Sequence, residues 1–109
     1  MVSLLDHVHD GALTLEQIAE KSAHNPARLF DVMERGYLRE GYWADLVLVD
    51  LKRPTIVDDQ PVHYRCGWTP FAGRTFRSSV AATFVSGHLA FIDGEIDPEP
   101  AGMRLKFNR

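Results

Sequence analysis

Residues Gly36 to Asp50 read G-Y-L-R-E-G-Y-W-A-D-L-V-L-V-D, and this stretch decides the fold. Gly36 and Gly41 stand five residues apart and predict a tight reversal of the chain. The run from Ala44 to Leu51 follows, apolar apart from Asp45 and Asp50. Leu46, Val47, Leu48 and Val49 are too few for an ordinary helix and are rich in strand formers. They predict a strand buried on both faces. Upstream of Gly36 the pattern is helical, and beyond Asp50 it is strand and loop, so the class is α+β.

Working back from Gly36, Asn25-Pro26 predicts a helix restart, with Asn25 as N-cap and Pro26 in the first helical position. Leu29, Phe30 and Met33 then point inward. Before it, Thr14 and Gln17 have the spacing of a capping box. Leu15, Ile18, Ala19 and Ser22 form the inner face of that helix, opposite Glu16, Glu20 and Lys21. Met1, Leu4, Leu5 and Val8 follow the i, i+3, i+4, i+7 rule of one buried stripe, and Gly11 stops that first helix. A helix with no cap ahead of it suggests a chain cut from something longer.

Working forward, Lys52-Arg53-Pro54 turns the chain and Thr55-Ile56-Val57 predicts a short edge strand. From Asp58 to Gly73, Pro61, Gly67, Pro70 and Gly73 act as breakers, and Tyr64, Trp68 and Phe71 predict a packed loop. Ser78–Val85 and His88–Ile92 read as two strands joined at Ser86-Gly87, with another turn at Asp93-Gly94. Pro98, Pro100 and Gly102 mark an extended tail ending in Arg104-Leu105-Lys106-Phe107.

The chain has 109 residues, within the size of one domain or less. The net charge is 12 − 15 = −3, and no Lys/Arg run marks a nucleic-acid surface. No apolar run approaches the roughly 18 residues of a membrane span, and no signal peptide is visible. A lone cysteine, Cys66, cannot form an intrachain disulfide and points to a reducing, cytoplasmic setting.

His7-Val8-His9-Asp10 is the one motif with a metal-binding look. On a strand, His-x-His presents both rings to one face; on a helix, two positions are about 200° apart and the rings diverge. His24, His63 and His88 lack Cys or carboxylate neighbours at ligand spacing. Cys66 lies near Arg65 and His63, which would favour its thiolate, but in no nucleophile context. Ser78-Ser79 does not form a nucleophile elbow. Gly67 and Gly73 match no phosphate-binding fingerprint. Asp45, at the edge of a strand, needs donors. They are expected from the backbone of the turn around residues 39–43 or from a neighbouring arginine, giving it a structural role. No catalytic, cofactor-binding or metal-binding residue is assigned.

The Gly36–Asp50 stretch resembles the re-entry strand of the cyclic amidohydrolase superfamily. H-N-P-A-R-L-F at His24–Phe30, C-G-W-T-P-F-A-G at Cys66–Gly73 and T-F-V-S-G-H-L at Thr83–Leu89 are similar to the C-terminal end of a dihydroorotase, and the ending G-M-R-L-K-F-N-R resembles one bacterial branch. The resemblance implies a fragment of a metal-dependent hydrolase fold. Residues 1–36 would be the last helices of a TIM-type (β/α)₈ barrel, and residues 37–109 the C-terminal part of a small β-sandwich domain. The parent enzyme would interconvert L-dihydroorotate and N-carbamoyl-L-aspartate in pyrimidine synthesis, with zinc polarising the amide and activating water.

The family's metal ligands and aspartate base precede the region matched here. His7 and His9 fall after the last barrel strand, so no functional residue carries over. This chain is therefore expected to bind no zinc and to be inactive alone. Its partner would be the remainder of the dihydroorotase chain, with dihydroorotate as the parent enzyme's substrate; neither nucleic acid nor membrane is implied, and a homo-oligomer is compatible. The alternative is a non-catalytic β-domain protein used for interaction or assembly.

Overall fold

The Thr14 capping box forms as its spacing predicts. Gln17 N–H donates to Thr14 Oγ1 (3.1 Å), and Thr14 N–H donates to Gln17 Oε1 (2.9 Å). A computed structural model describes residues 1–99 and 102–109. Pro100, one of the expected tail breakers, lies outside the described residues.

Helix α1 spans Val2–His9, and its Leu5 is fully buried. Met1 and Leu4, expected on the same buried stripe, are exposed, because α1 packs mainly against α2 (Leu15–Ala19) and one short strand. Ile18 is the buried residue of α2, while Leu15, Ala19 and Ser22 lie open.

The helix does not restart at Asn25. A π-helical turn over Glu20–His24 leads directly into α3, Asn25–Leu29, and Asn25 itself is helical (φ −64°, ψ −45°). Pro26 has no N–H, and its ring would crowd the carbonyl four residues back; a widened turn relieves that clash without ending the helix. Asn25 caps nothing through its side chain and accepts a bond from the Arg28 guanidinium instead.

Helix α3 stops at Leu29, seven residues before Gly36. Asp31 and Glu34 take left-handed backbone angles, φ 52° and 57°. Leu29, Phe30 and Met33 consequently lie exposed and not inward; Ala27 is the buried residue. The 31–33 segment pairs with the C-terminal tail. Val32 and Phe107 bridge antiparallel, Met33 N–H donates to the Lys106 carbonyl (2.9 Å), and Asn108 N–H donates to the Asp31 carbonyl (2.9 Å).

Gly36 closes the reversal against α3. Its φ is +83°, and a Cβ there would lie 2.5 Å from Ala27 Cβ and 2.8 Å from the Ala23 carbonyl oxygen. Only glycine fits.

Strands β1 (Leu46–Asp50), β4 (Ser79–Val85), β5 (His88–Ile92) and β6 (Glu95–Ile96) form an antiparallel sheet in the order β1-β4-β5-β6. A second, two-stranded sheet joins β2 (Thr55–Ile56) to β3 (Thr75–Phe76). The hairpin between β4 and β5 turns at Ser86 (φ 50°) and Gly87 (φ 85°). The next turns at Asp93 (φ 46°) and Gly94 (φ 89°), so both are paired left-handed turns suited to strand twist.

Strand β1 corrects a prediction. It pairs only with β4, so it is an edge, and Val47 and Leu48 are exposed instead of buried on both faces. An apolar run in sequence records the environment a strand is built for, and none of the described residues covers Val47 and Leu48. The 58–73 loop is irregular as expected, but it is not packed. Trp68 is 65% exposed and Tyr64 half exposed, and only Phe71 finds a ring, an edge-on contact with Phe76 at 5.3 Å.

Candidate functional site

Four segments meet at Arg35, whose residue is 8% exposed. The residue lies just before Gly36, so the reversal carries its side chain under the start of β1. Its Nη1 donates to Asp45 Oδ2. Its Nη2 donates to Ser86 Oγ (3.2 Å) and to the Met103 carbonyl (3.1 Å), and its guanidinium lies 5.2 Å from the centre of the Trp43 ring. Asp45 Oδ1 accepts from Ser86 N–H at 2.7 Å. Met103 N–H donates back to Ser86 Oγ (3.1 Å), and Gly87 N–H donates to the Ala44 carbonyl (2.9 Å).

Asp45 therefore has the arginine partner that its sequence context allowed. The donors expected from the turn at residues 39–43 are corrected: its backbone N–H partner is Ser86, 41 residues away. The Tyr42 N–H closes its own turn onto Arg39. The side chains of this cluster hold one another, which suits an architectural role.

A second cluster ties α1 to the segment before β4. Arg77 N–H donates to Asp6 Oδ1 (2.9 Å), while Arg77 Nη2 donates to the Asp6 carbonyl (2.8 Å) and Asp10 Oδ1 (2.7 Å). The Arg77 backbone N–H bond, joined by the nearby guanidinium charge, holds the Asp6 carboxyl below its ordinary value. The hydrogen bond to Asp10 raises Arg77 in turn.

The histidines disperse. His9 Nε2 lies 2.8 Å from the fully buried Ser78 Oγ, while His7, on the opposite side of α1, is exposed. His24 stacks on Tyr37, ring centres 4.3 Å apart. His63 is exposed in the loop. His88 Nε2 approaches Asp97 Oδ2 to 2.9 Å, a carboxylate neighbour that sequence spacing did not reveal; the contact lies off the line of a hydrogen bond. Cys66 is exposed, with Sγ 3.8 Å from the Trp68 carbonyl. Ser78 is sealed from solvent, and Ser79 Oγ accepts from Arg53 Nε (2.8 Å), so neither presents a nucleophile. Gly67 and Gly73 both have positive φ in the loop, and the Gly73 N–H is taken by Asp58 (2.9 Å).

Among the described residues no three His, Cys, Asp or Glu side chains converge on a point that would hold a metal ion. Nor is any described helix long and apolar enough to cross a membrane.

The surface itself is the other feature sequence reasoning missed. The chain exposes 8132 Å²; a folded monomer of 12.3 kDa would expose about 6,100 Å². Its radius of gyration is 15.3 Å, against about 13 Å for an independent domain of this length. Exposed apolar side chains are spread along the chain, among them Leu4, Leu29, Leu38, Val47, Leu48, Ile92 and Leu105.

The chain is similar to a dihydroorotase of Pyrococcus abyssi, 35% identical over 102 residues, which are 94% of this chain and 25% of that protein. It is similar to an allantoinase of Rubrobacter xylanophilus, 37% identical over 108 residues, 98% of this chain and 24% of the other. It also matches the multifunctional protein pyr1-3 of Dictyostelium discoideum, 36% identical over 93 residues, 85% of this chain and 4% of the other. The chain spans about a quarter of the length of the dihydroorotases and allantoinases it matches. The model of the amidohydrolase family matches residues 1–90, and the chain belongs to that family.

Proposed function

We propose that this chain is the C-terminal part of a dihydroorotase, which reversibly hydrolyses L-dihydroorotate to N-carbamoyl-L-aspartate. The carrying observation is the match of 94% of the chain to a quarter of a dihydroorotase. The excess surface and the open apolar edge of β1 support it: natural edge strands are blunted by charge, proline or a bulge turned outward, and Leu46–Val49 carries no charge or proline. In this reading β1 continues the small β domain, and residues 1–36 finish the barrel. Zinc and the general base belong to the remainder of the polypeptide, and the setting is cytoplasmic, where the exposed Cys66 thiol stays reduced.

A second reading within the family is supported by the 37% identity to an allantoinase. The deciding experiment expresses the parent reading frame and assays dihydroorotate and allantoin in parallel. Turnover of dihydroorotate alone supports the first reading, and turnover of allantoin alone replaces it. The interaction-module alternative gains ground only if neither ring is opened.

A further inference from the structure

Arg53 stands at a cleft of about 320 Å³ where three parts of the fold meet. They are the first turn of α1 at Val2, the link from β1 into β2 at Arg53, Pro54 and Thr55, and the turn between β5 and β6 at Asp93. The volume is at the small end for a ligand site, and junctions between structural units are where such sites concentrate. Val2, Pro54 and Phe91 give the cleft apolar wall, while Arg53, Thr55 and Asp93 give it polar atoms.

The Arg53 guanidinium is fixed in place. Its backbone N–H donates to Asp50 Oδ1 (3.2 Å), Nε donates to Ser79 Oγ (2.8 Å), and Nη1 donates to Asp93 Oδ1 (3.1 Å). The pair with Asp93 is open to water, the side chains 46% and 65% exposed, and an ion pair that open adds little to stability. Bonding capacity is left over on both partners. Among the described residues Nη2 finds no acceptor and Asp93 Oδ2 no donor. Thr55 Oγ1 gives its proton to the Ser78 carbonyl (2.8 Å), so its lone pairs remain for a donor. A cationic donor, an anionic acceptor and a hydroxyl acceptor thus line one cleft.

We propose that this cleft binds a small zwitterion of the α-amino acid class, its carboxylate taking Arg53 Nη2 and its ammonium taking Asp93 Oδ2 and Thr55 Oγ1. A simple anion would meet the repulsion of Asp93 and a simple cation that of Arg53, whereas a ligand with both charges on neighbouring atoms answers both. The ligand's aliphatic side chain would lie on Pro54 and Phe91. The site is independent of which ring the parent enzyme opens.

The test uses the full-length parent protein and isothermal titration with L-alanine, with acetate and methylammonium as controls of one charge each. L-alanine is expected to bind saturably, and each control about tenfold more weakly or not at all. Arg53→Met and Asp93→Asn are each expected to weaken L-alanine binding by about tenfold or more. Asparagine tolerates the left-handed backbone of position 93 (φ 46°), so Asp93→Asn keeps the turn. Turnover per folded molecule is expected to stay unchanged in both variants. No saturable binding of L-alanine, a control that binds equally well, full binding retained in either variant, or turnover lost in step with binding each overturns the proposal. Binding is read directly, so a parent that opens neither ring fails the proposed function and leaves this result standing.

Discussion

Arg35 and Asp45 form an ion pair that joins the end of the helical segment to the start of β1, and Ser86 at the far hairpin grips both members. The pair is half shielded: the arginine side chain is 9% exposed and the aspartate 35%. Asp45→Ala strands a buried guanidinium and the Ser86 amide, and is expected to destabilise by about 1–3 kcal/mol. Asp45→Asn keeps one acceptor and costs less. Urea unfolding of the parent enzyme measures both, and turnover per folded molecule should stay near normal. Loss of turnover in Asp45→Asn at an unchanged midpoint would give Asp45 a part in the reaction.

Ser86→Ala leaves the backbone amide on Asp45 intact but removes the acceptor shared by Arg35 and Met103. The expected cost is about 1 kcal/mol. Faster hydrogen exchange at the Met103 amide should accompany it, while the amides of β5 hold their rates. Equal acceleration at both sites would mean that the hairpin, not the tail, had loosened.

Two glycines with the same φ of +83° separate backbone strain from crowding. Gly41→Ala meets nothing within 4 Å and should lose about 1–2 kcal/mol for the left-handed backbone. Gly36→Ala adds the collision with Ala27 and Ala23 and should lose a further 1–3 kcal/mol or so. Paired chemical melts give the difference directly; equal losses would mean that α3 gives way freely.

The Asp6 carboxyl is held below its ordinary 3.8 by Arg77, so the folded state favours its charged form. That stabilisation is complete above the ordinary value and is lost as pH falls through the lowered one. The gap in unfolding midpoint between the native chain and Asp6→Asn should be constant above about pH 5 and narrow below about pH 4. A gap that widens on acidification would reverse the assignment.

Local chemistry was legible in the sequence where one or two residues settle the outcome. Thr14 with Gln17, Ser86-Gly87 and Asp93-Gly94 each carry their geometry in their own side chains or their tolerance of positive φ. What was illegible depended on neighbours. Leu46–Val49 reads as a strand covered on both faces, yet β1 pairs with β4 alone and Val47 and Leu48 are exposed. Leu29, Phe30 and Met33 are exposed likewise. Asn25-Pro26 reads as a new helix, because no local rule anticipates a widened turn that lets a helix pass a proline. Arg35 gave no signal at all: its partners lie 10, 51 and 68 residues away.

The pairing of residues 31–33 with residues 106–108 sets an order on biosynthesis. A ribosome adds roughly 5–20 residues each second, and segments ordinarily settle as they emerge. Here the Met33 amide waits for the Lys106 carbonyl, and Asn108 must arrive before the Asp31 carbonyl is satisfied. Closure of the helical segment is thus a late step of synthesis, and a ribosome paused short of position 106 would hold a chain whose Val32 has no strand to bridge to.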